Sequence, residues 1–186
     1  MKTGLVVIDM LNDFQDGVLA NPAAAGIVEP LKALIEAARS REDWVVVYSN
    51  DAHKPGDLEF AVFGEHAVAG SAGAQVIPEI APRDGDEVVD KRYYSTFTET
   101  DMDTICKLHK IDRLVVVGQH TDCCIRHTSY DAYVRGMEVV VPSDATTVFE
   151  PLSETPVEAR QQAALDYLAG FYGARITTTG ELLAEL

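Results

Sequence analysis

Short, continuously apolar runs recur along this chain, and longer stretches of helical periodicity separate them. Leu5-Val6-Val7-Ile8, Val45-Val46-Val47-Tyr48, Glu87-Val88-Val89, Leu114-Val115-Val116-Val117, Met137 to Val141 and Ala174 to Thr177 read as six strands. Runs that do not alternate between apolar and polar residues are those of parallel strands covered on both faces. Between them, Ile27, Leu31, Leu34, Ile35 and Ala38 fall on one helical stripe, which predicts a helix over 27–39. Met102, Ile105 and Leu108 predict a second over 100–109, and Thr128 to Arg135 read as a third. A longer helix runs from Pro156 at its first position to Phe171, with Thr155 as its cap. The alternation predicts an α/β fold: a doubly wound, mostly parallel six-stranded sheet with helices on both faces. No repeat or linker interrupts it, so residues 1–186 read as a single domain. The irregular stretch over 49–86 is too long for an ordinary connection and predicts a functional loop.

Charge narrows the partners. The net charge is −15, from 30 acidic and 15 basic residues, and six of the basic ones are lysine. Such a surface repels nucleic acid and anionic membranes. Acidic, lysine-poor surfaces are also what a high-salt cytoplasm selects. No apolar run approaches the roughly 20 residues of a membrane span, and the N-terminus shows no signal-peptide pattern. Three cysteines, two of them adjacent, do not make a disulfide framework. The expected location is a reducing cytoplasm.

The most informative segment is Gly118-Gln119-His120-Thr121-Asp122-Cys123-Cys124-Ile125-Arg126-His127, where the fourth strand turns into a helix. A cysteine there lies over the carboxyl edge of the sheet, where open α/β folds place ligands. It also lies at the positive end of a helix dipole, which favours a thiolate. Asp9 ends the first strand and Lys91 the third, so carboxylate, ammonium and thiol reach one edge. The carboxylate can take the thiol proton, and the ammonium can hold the thiolate. Adjacent helical residues point about 100° apart, so one of Cys123 and Cys124 is expected to face the crevice and the other to pack as a small hydrophobe. A second constellation, Asp51, His53, Glu59 and His66, follows the second strand. One or two carboxylates with two imidazoles suit a divalent ion, Zn²⁺, Mn²⁺ or Fe²⁺, with open positions for water.

Taken in order, these segments resemble the isochorismatase-like cysteine hydrolases, and within them the nicotinamidases. Val7-Ile8-Asp9-Met10-Leu11-Asn12-Asp13-Phe14 is similar to the family's first motif, and Asp90 to Phe97 to the segment with its catalytic lysine. Gly118 to Ile125 matches Gly-x-x-Thr-Asp-x-Cys-Val, which implies Cys124 as nucleophile and Cys123 as the variable position. The resemblance implies an Asp9–Lys91–Cys124 triad, a cis Gln119–His120 peptide, and an oxyanion hole from the amides of His120 and Cys124. Asp51-x-His53 with Gly64-Glu65-His66 looks like the nicotinamidase metal site, with Glu59 as a fourth ligand and zinc as the expected ion. Phe14, Phe63 and Tyr94 are expected to stack on a flat substrate. Leu11 stands where nicotinamidases carry glutamine, and Phe63-Gly64-Glu65-His66-Ala67 replaces their Trp-Pro-x-His-Cys. The implied partner is a small-molecule amide, nicotinamide as in NAD salvage, on a homo-oligomeric enzyme. The alternative is an N-carbamoylsarcosine or ureido amidase of the same family. A non-catalytic binding or redox protein built on Cys123-Cys124 is the rival from another class; a vicinal disulfide is strained, and a binding module would not need Asp9 and Lys91.

Overall fold

The computed structural model describes residues 2–186. Its strands are β1 (Lys2–Ile8), β2 (Trp44–Asp51), β3 (Glu87–Lys91), β4 (Ile111–Gln119), β5 (Glu138–Pro142), β6 (Thr146–Thr147) and β7 (Arg175–Thr177). The helices are α1 (Asn12–Gln15), α2 (Val28–Arg39), α3 (Phe60–Phe63), α4 (Met102–His109), α5 (Cys124–Val134), α6 (Val157–Tyr172) and α7 (Thr179–Ala184). The strands form one sheet in the order β3-β2-β1-β4-β5-β7, every pairing parallel. The six expected strands are all present, and the two-residue β6 adds a seventh beside Gly118 and Gln119.

Successive residues of a strand point to opposite faces, and both faces here are covered. Leu5, Val7, Val115 and Val117 pack under α2 and α7 with Leu31, Leu34, Ile35 and Leu182. Val6, Ile8, Leu114 and Val116 pack on the other face with Met102, Ile105, Ile125, Leu165 and Leu168 of α4, α5 and α6. Each large aliphatic side chain buried in this way contributes about 1.5–3 kcal/mol.

Three local expectations are corrected. Helix α5 begins at Cys124, four residues before the predicted start, because its buried stripe of Ile125, Thr128, Ser129 and Ala132 is partly polar. Helix α6 begins at Val157 with Pro156 as its cap residue, and Thr155 makes no capping bond. In α4 the inward positions are Met102, Ile105 and Cys106, whereas Leu108 is 72% exposed.

The chain leaves the sheet in opposite directions from β1, which leads to β2, and from β4, which leads to β5. The two strands are neighbours, so the ends of β1 and β4 flank the crevice at which open parallel sheets bind ligands. Gly118 makes the close approach possible: its φ is +104° and a Cβ there would lie 2.1 Å from the Ile8 carbonyl oxygen. Among the described residues no helix is long and apolar enough to cross a membrane.

Candidate active site

Four adjacent strands deliver one polar side chain each to this crevice. Asp9 follows β1, Asp51 ends β2, Lys91 ends β3 and Cys124 opens α5 directly after β4. The register places Asp51 beside Lys91. All four are at least 95% buried, so their charges must be compensated within the cluster. Lys91 Nζ donates to Asp9 Oδ2 at 2.8 Å and to Asp51 Oδ1 at 2.5 Å, and lies 3.7 Å from Cys124 Sγ. The other Asp9 oxygen accepts from the Asp51 amide at 2.9 Å. The backbone of Asp9 is also fixed: its φ is +50°, its amide donates to Ser49 O, and its carbonyl accepts from Gln119 Nε2.

Electrostatics separate the roles. Burial, reinforced by the neighbouring Asp51 carboxylate, pushes Asp9 up to about 7 against the pull of Lys91. Burial would raise Asp51 too, but Lys91 and His53 hold it down at about 2. Burial opposes the charge on Lys91, yet Asp51 and Asp9 outweigh it, and the side chain stays an ammonium. The thiol of Cys124 is raised by its hydrogen bond with Cys123 and by burial, despite Lys91. The helix start supplies a favourable dipole, but desolvation of a 5% exposed sulfur outweighs it. A thiol that shares the Lys91 ammonium with an Asp9 carboxyl near neutrality is set up for proton transfer.

The expected oxyanion donors belong to the segment that carries Cys124 from β4 into α5. The Gln119–His120 peptide is cis, and Cys124 is the first residue of α5, where helical amides have no partner within the helix. The His120 imidazole is held near 3 by burial and is therefore neutral. It packs between Phe14 and Phe149, with ring centroids 5.6 and 5.0 Å away.

Asp51, His53, Glu59 and His66 are brought together with one ligand atom from each within 4.8 Å of the others. A parallel bridge between His53 and Val68 folds the second half of the loop onto the first. Asp13 Oδ2 pins it by accepting from the Ala67 amide at 2.8 Å. His53 Nδ1 donates to Asp57 Oδ2 at 3.1 Å and His66 Nδ1 to Gly64 O at 2.8 Å. Both imidazoles are thereby fixed with the Nε2 lone pair free, as metal-ligating histidines are. His53 Nε2 is buried without a partner. Glu59 is pushed up to about 8 by burial and by Asp51. An orphaned imidazole nitrogen and a carboxylate short of positive charge fit a divalent cation. Asp51 serves both sites, with Oδ1 on Lys91 and Oδ2 towards His53 at 3.7 Å.

A cavity of about 200 Å³ opens onto both groups. The expected aromatic residues Phe14, Phe63 and Tyr94 line it, with Asp51, Glu59, His66, His120, Cys123 and Cys124. Cys123 thus lines the cavity with Cys124 while also packing against the core. The reason is conformational: Cys123 is the cap residue, at φ −128° and ψ −97°, off the helical wheel.

Several contributors went unread in the sequence. Phe149 and Leu152 complete the wall from a distant loop. Arg160 of α6 donates to Phe149 O and to Glu150 O and so ties that loop down. Asn21 bonds Gln119 Oε1 and Val148 O, joining the same loop to the end of β4. Asp57 fixes His53 and is itself gripped by Arg92. None carried a local signal beyond its residue type.

A parallel sheet with an acid, a lysine and a cysteine at its switch point defines a class of hydrolase, and the comparisons agree. The chain belongs to the isochorismatase family, whose domain model matches residues 3–181. It is 38% identical to N-carbamoylsarcosine amidase from Thermoplasma acidophilum, over 96% of this chain and 97% of that one, with a TM-score of 0.85. It is 27% identical to nicotinamidase/pyrazinamidase PncA from Bacillus subtilis, over 95% and 100% of the two chains, with a TM-score of 0.83. Ureidoacrylate amidohydrolase RutB of Cronobacter sakazakii is 28% identical over 92% of this chain and 83% of its own.

Proposed function

We propose that the protein is a cysteine-dependent amidohydrolase of the nicotinamidase type, converting nicotinamide and water to nicotinate and ammonia. The composition of the cavity carries this reading. Aromatic rings line it beside the Cys124 thiol and three members of the metal cluster, with no lysine or arginine among the lining residues. A flat, uncharged carboxamide suits such walls. N-carbamoylsarcosine and ureidoacrylate carry a carboxylate, which would meet Asp51, Glu59 and Asp122 with no cationic side chain in the lining.

In the proposed mechanism Asp9 takes the proton from Cys124 Sγ, and the sulfur attacks the carboxamide carbon while Lys91 stabilises the thiolate. The amides of His120 and Cys124 receive the developing oxyanion. Asp9 returns the proton to the departing nitrogen, ammonia leaves, and a thioester remains. Asp9 then deprotonates the water that cleaves it, which restores the thiol and releases the acid. Asp51, His53, Glu59 and His66 would hold a divalent ion, which when bound supplies an electrophilic anchor for a ring nitrogen. Phe14, Phe63 and Tyr94 would hold the ring.

The second reading is an N-carbamoyl amidase with the same sulfur chemistry, favoured by the 38% identity to the Thermoplasma enzyme. Ammonia release from nicotinamide, N-carbamoylsarcosine and ureidoacrylate, each with and without chelator, separates the two. The expected result is turnover of nicotinamide that is lost on chelation and in Cys124→Ala. Turnover of a carbamoyl compound alone, indifferent to chelator, would overturn the nicotinamidase reading and keep the triad.

A further inference from the structure

The sequence has two adjacent cysteines, and the structure gives the second sulfur a position the proposed reaction does not use. Cys123 and Cys124 are neighbours in the chain and line the same cavity. Cys124 is 5% exposed, whereas Cys123 is half-buried, with a path to solvent. His127 stands one turn along α5, its Nδ1 on the Cys123 carbonyl at 2.8 Å, and packs against the Tyr94 ring at 5.2 Å. The third thiol, Cys106, lies on the buried face of α4 in the core and is absent from this wall.

Geometry decides what such a pair can bind. Across a trans peptide the two Cα atoms are about 3.8 Å apart, below the roughly 4.4 Å lower limit of ordinary disulfides. Direct closure is therefore disfavoured. Inserting one larger, thiophilic atom between the sulfurs enlarges the ring and removes that constraint. Two soft sulfur donors select a soft centre, and a three-coordinate one needs only two from the protein.

We propose that Cys123 and Cys124 form a dithiol site for trivalent arsenic compounds, placed so that occupancy blocks the cavity. With an arsenoxide, two S–H bonds and the As=O bond break, two As–S bonds form, and the oxygen leaves as water with the two thiol protons. Arsenic stays trivalent, and no oxidant or reductant is consumed. The effect on turnover rests on the reading of Cys124 as the nucleophile; the binding itself does not.

The test is titration of the full-length protein with phenylarsine oxide, followed by intact mass and by amide hydrolysis. The expected result is a one-to-one adduct that has lost one water, with activity restored by 2,3-dimercaptopropanol but not by excess 2-mercaptoethanol. Cys123→Ser and Cys123→Ala should each weaken binding about a hundredfold, since the second sulfur acts as an intramolecular ligand. Cys106→Ser should bind as the parent does. Unchanged affinity in both Cys123 variants, or an adduct mapped to Cys106, overturns the proposal. A dithiol adduct that leaves hydrolysis intact would uphold the site and reject Cys124 as nucleophile.

Discussion

Lys91 joins two buried carboxylates and a buried thiol, and its replacement by methionine gives the sharpest test of the site. The ammonium is 1% exposed and holds Asp9 and Asp51 at 2.8 and 2.5 Å, with Cys124 Sγ at 3.7 Å. Methionine keeps most of the stem volume, so packing contributes little to the change. What remains is a pair of buried carboxylates with no cation between them. Removing one member of a buried charge group costs about 3–5 kcal/mol, against a total stability of about 5–15 kcal/mol for a typical domain. The variant should therefore fold, with a urea midpoint well below that of the parent. The charge change also raises Asp9, already near 7 from burial and Asp51, so it is protonated at neutral pH and cannot accept the thiol proton. Alkylation of Cys124 by iodoacetamide, followed by peptide mass, should shift to higher pH. In an Asp9→Asn background, which removes one of the stranded charges, the same substitution should cost about 0.5–3 kcal/mol less. A Lys91→Met protein within about 0.5 kcal/mol of the parent, with a superimposable alkylation profile, would refute the argument.

Asp57→Asn should lower Zn²⁺ affinity by about 10–100-fold in chelator competition, because the carboxylate that orients His53 Nε2 is gone; unchanged affinity would show that Asp57 serves only Arg92. Gly118→Ala should destabilise by more than about 4 kcal/mol or prevent folding, since its Cβ would lie 2.1 Å from the Ile8 oxygen at a φ of +104°; a soluble variant of near-parental stability would contradict that packing. Burial pushes Tyr48 up to about 12 from 10.0. A raised folded value means the fold keeps the proton longer than the unfolded chain, so this contribution is intact below about pH 10 and lost as pH climbs towards 12. Tyr48→Phe should flatten that alkaline decline in urea titrations while costing about 1 kcal/mol at neutral pH, from the lost bond to Ile80 O.

The convergence of Asp9, Lys91 and Cys124 was legible because each stands where an apolar run stops, and in a parallel sheet those stops share an edge. The grouping of Asp51, His53, Glu59 and His66, which could hold a metal, was legible as residue types within one stretch of chain. Asp57 was not: as one of 30 acidic residues, only its bond to His53 distinguishes it. Phe149 and Leu152 were hidden by distance along the chain, since no local pattern says that the 149–152 loop returns to residues at 14 and 63. The placement of Cys123 was read in part, since it packs on the core and lines the cavity as well. The 100° rule holds between helical neighbours, and Cys123 is the residue before the helix. Leu108 was expected inside and lies outside because a three-residue spacing fits two faces of a short helix equally well, and the sheet chose the one carrying Cys106.

The contacts of Lys91 join residues 82, 40 and 33 positions apart along the chain, each at the end of a different strand among β1 to β4. No hairpin or single βα unit contains even two of these partners, so loop-closure entropy must be overcome several times before the first of them forms. A nascent or partly folded chain consequently carries three ordinary thiols and no hydrolytic centre. The buried environment of Cys124 is complete only when β1 to β4 are docked, which makes its changed response to alkylating agents a clock for completed folding. In a refolding experiment the pH profile of that response should mature with the slowest structural phase and not with helix formation.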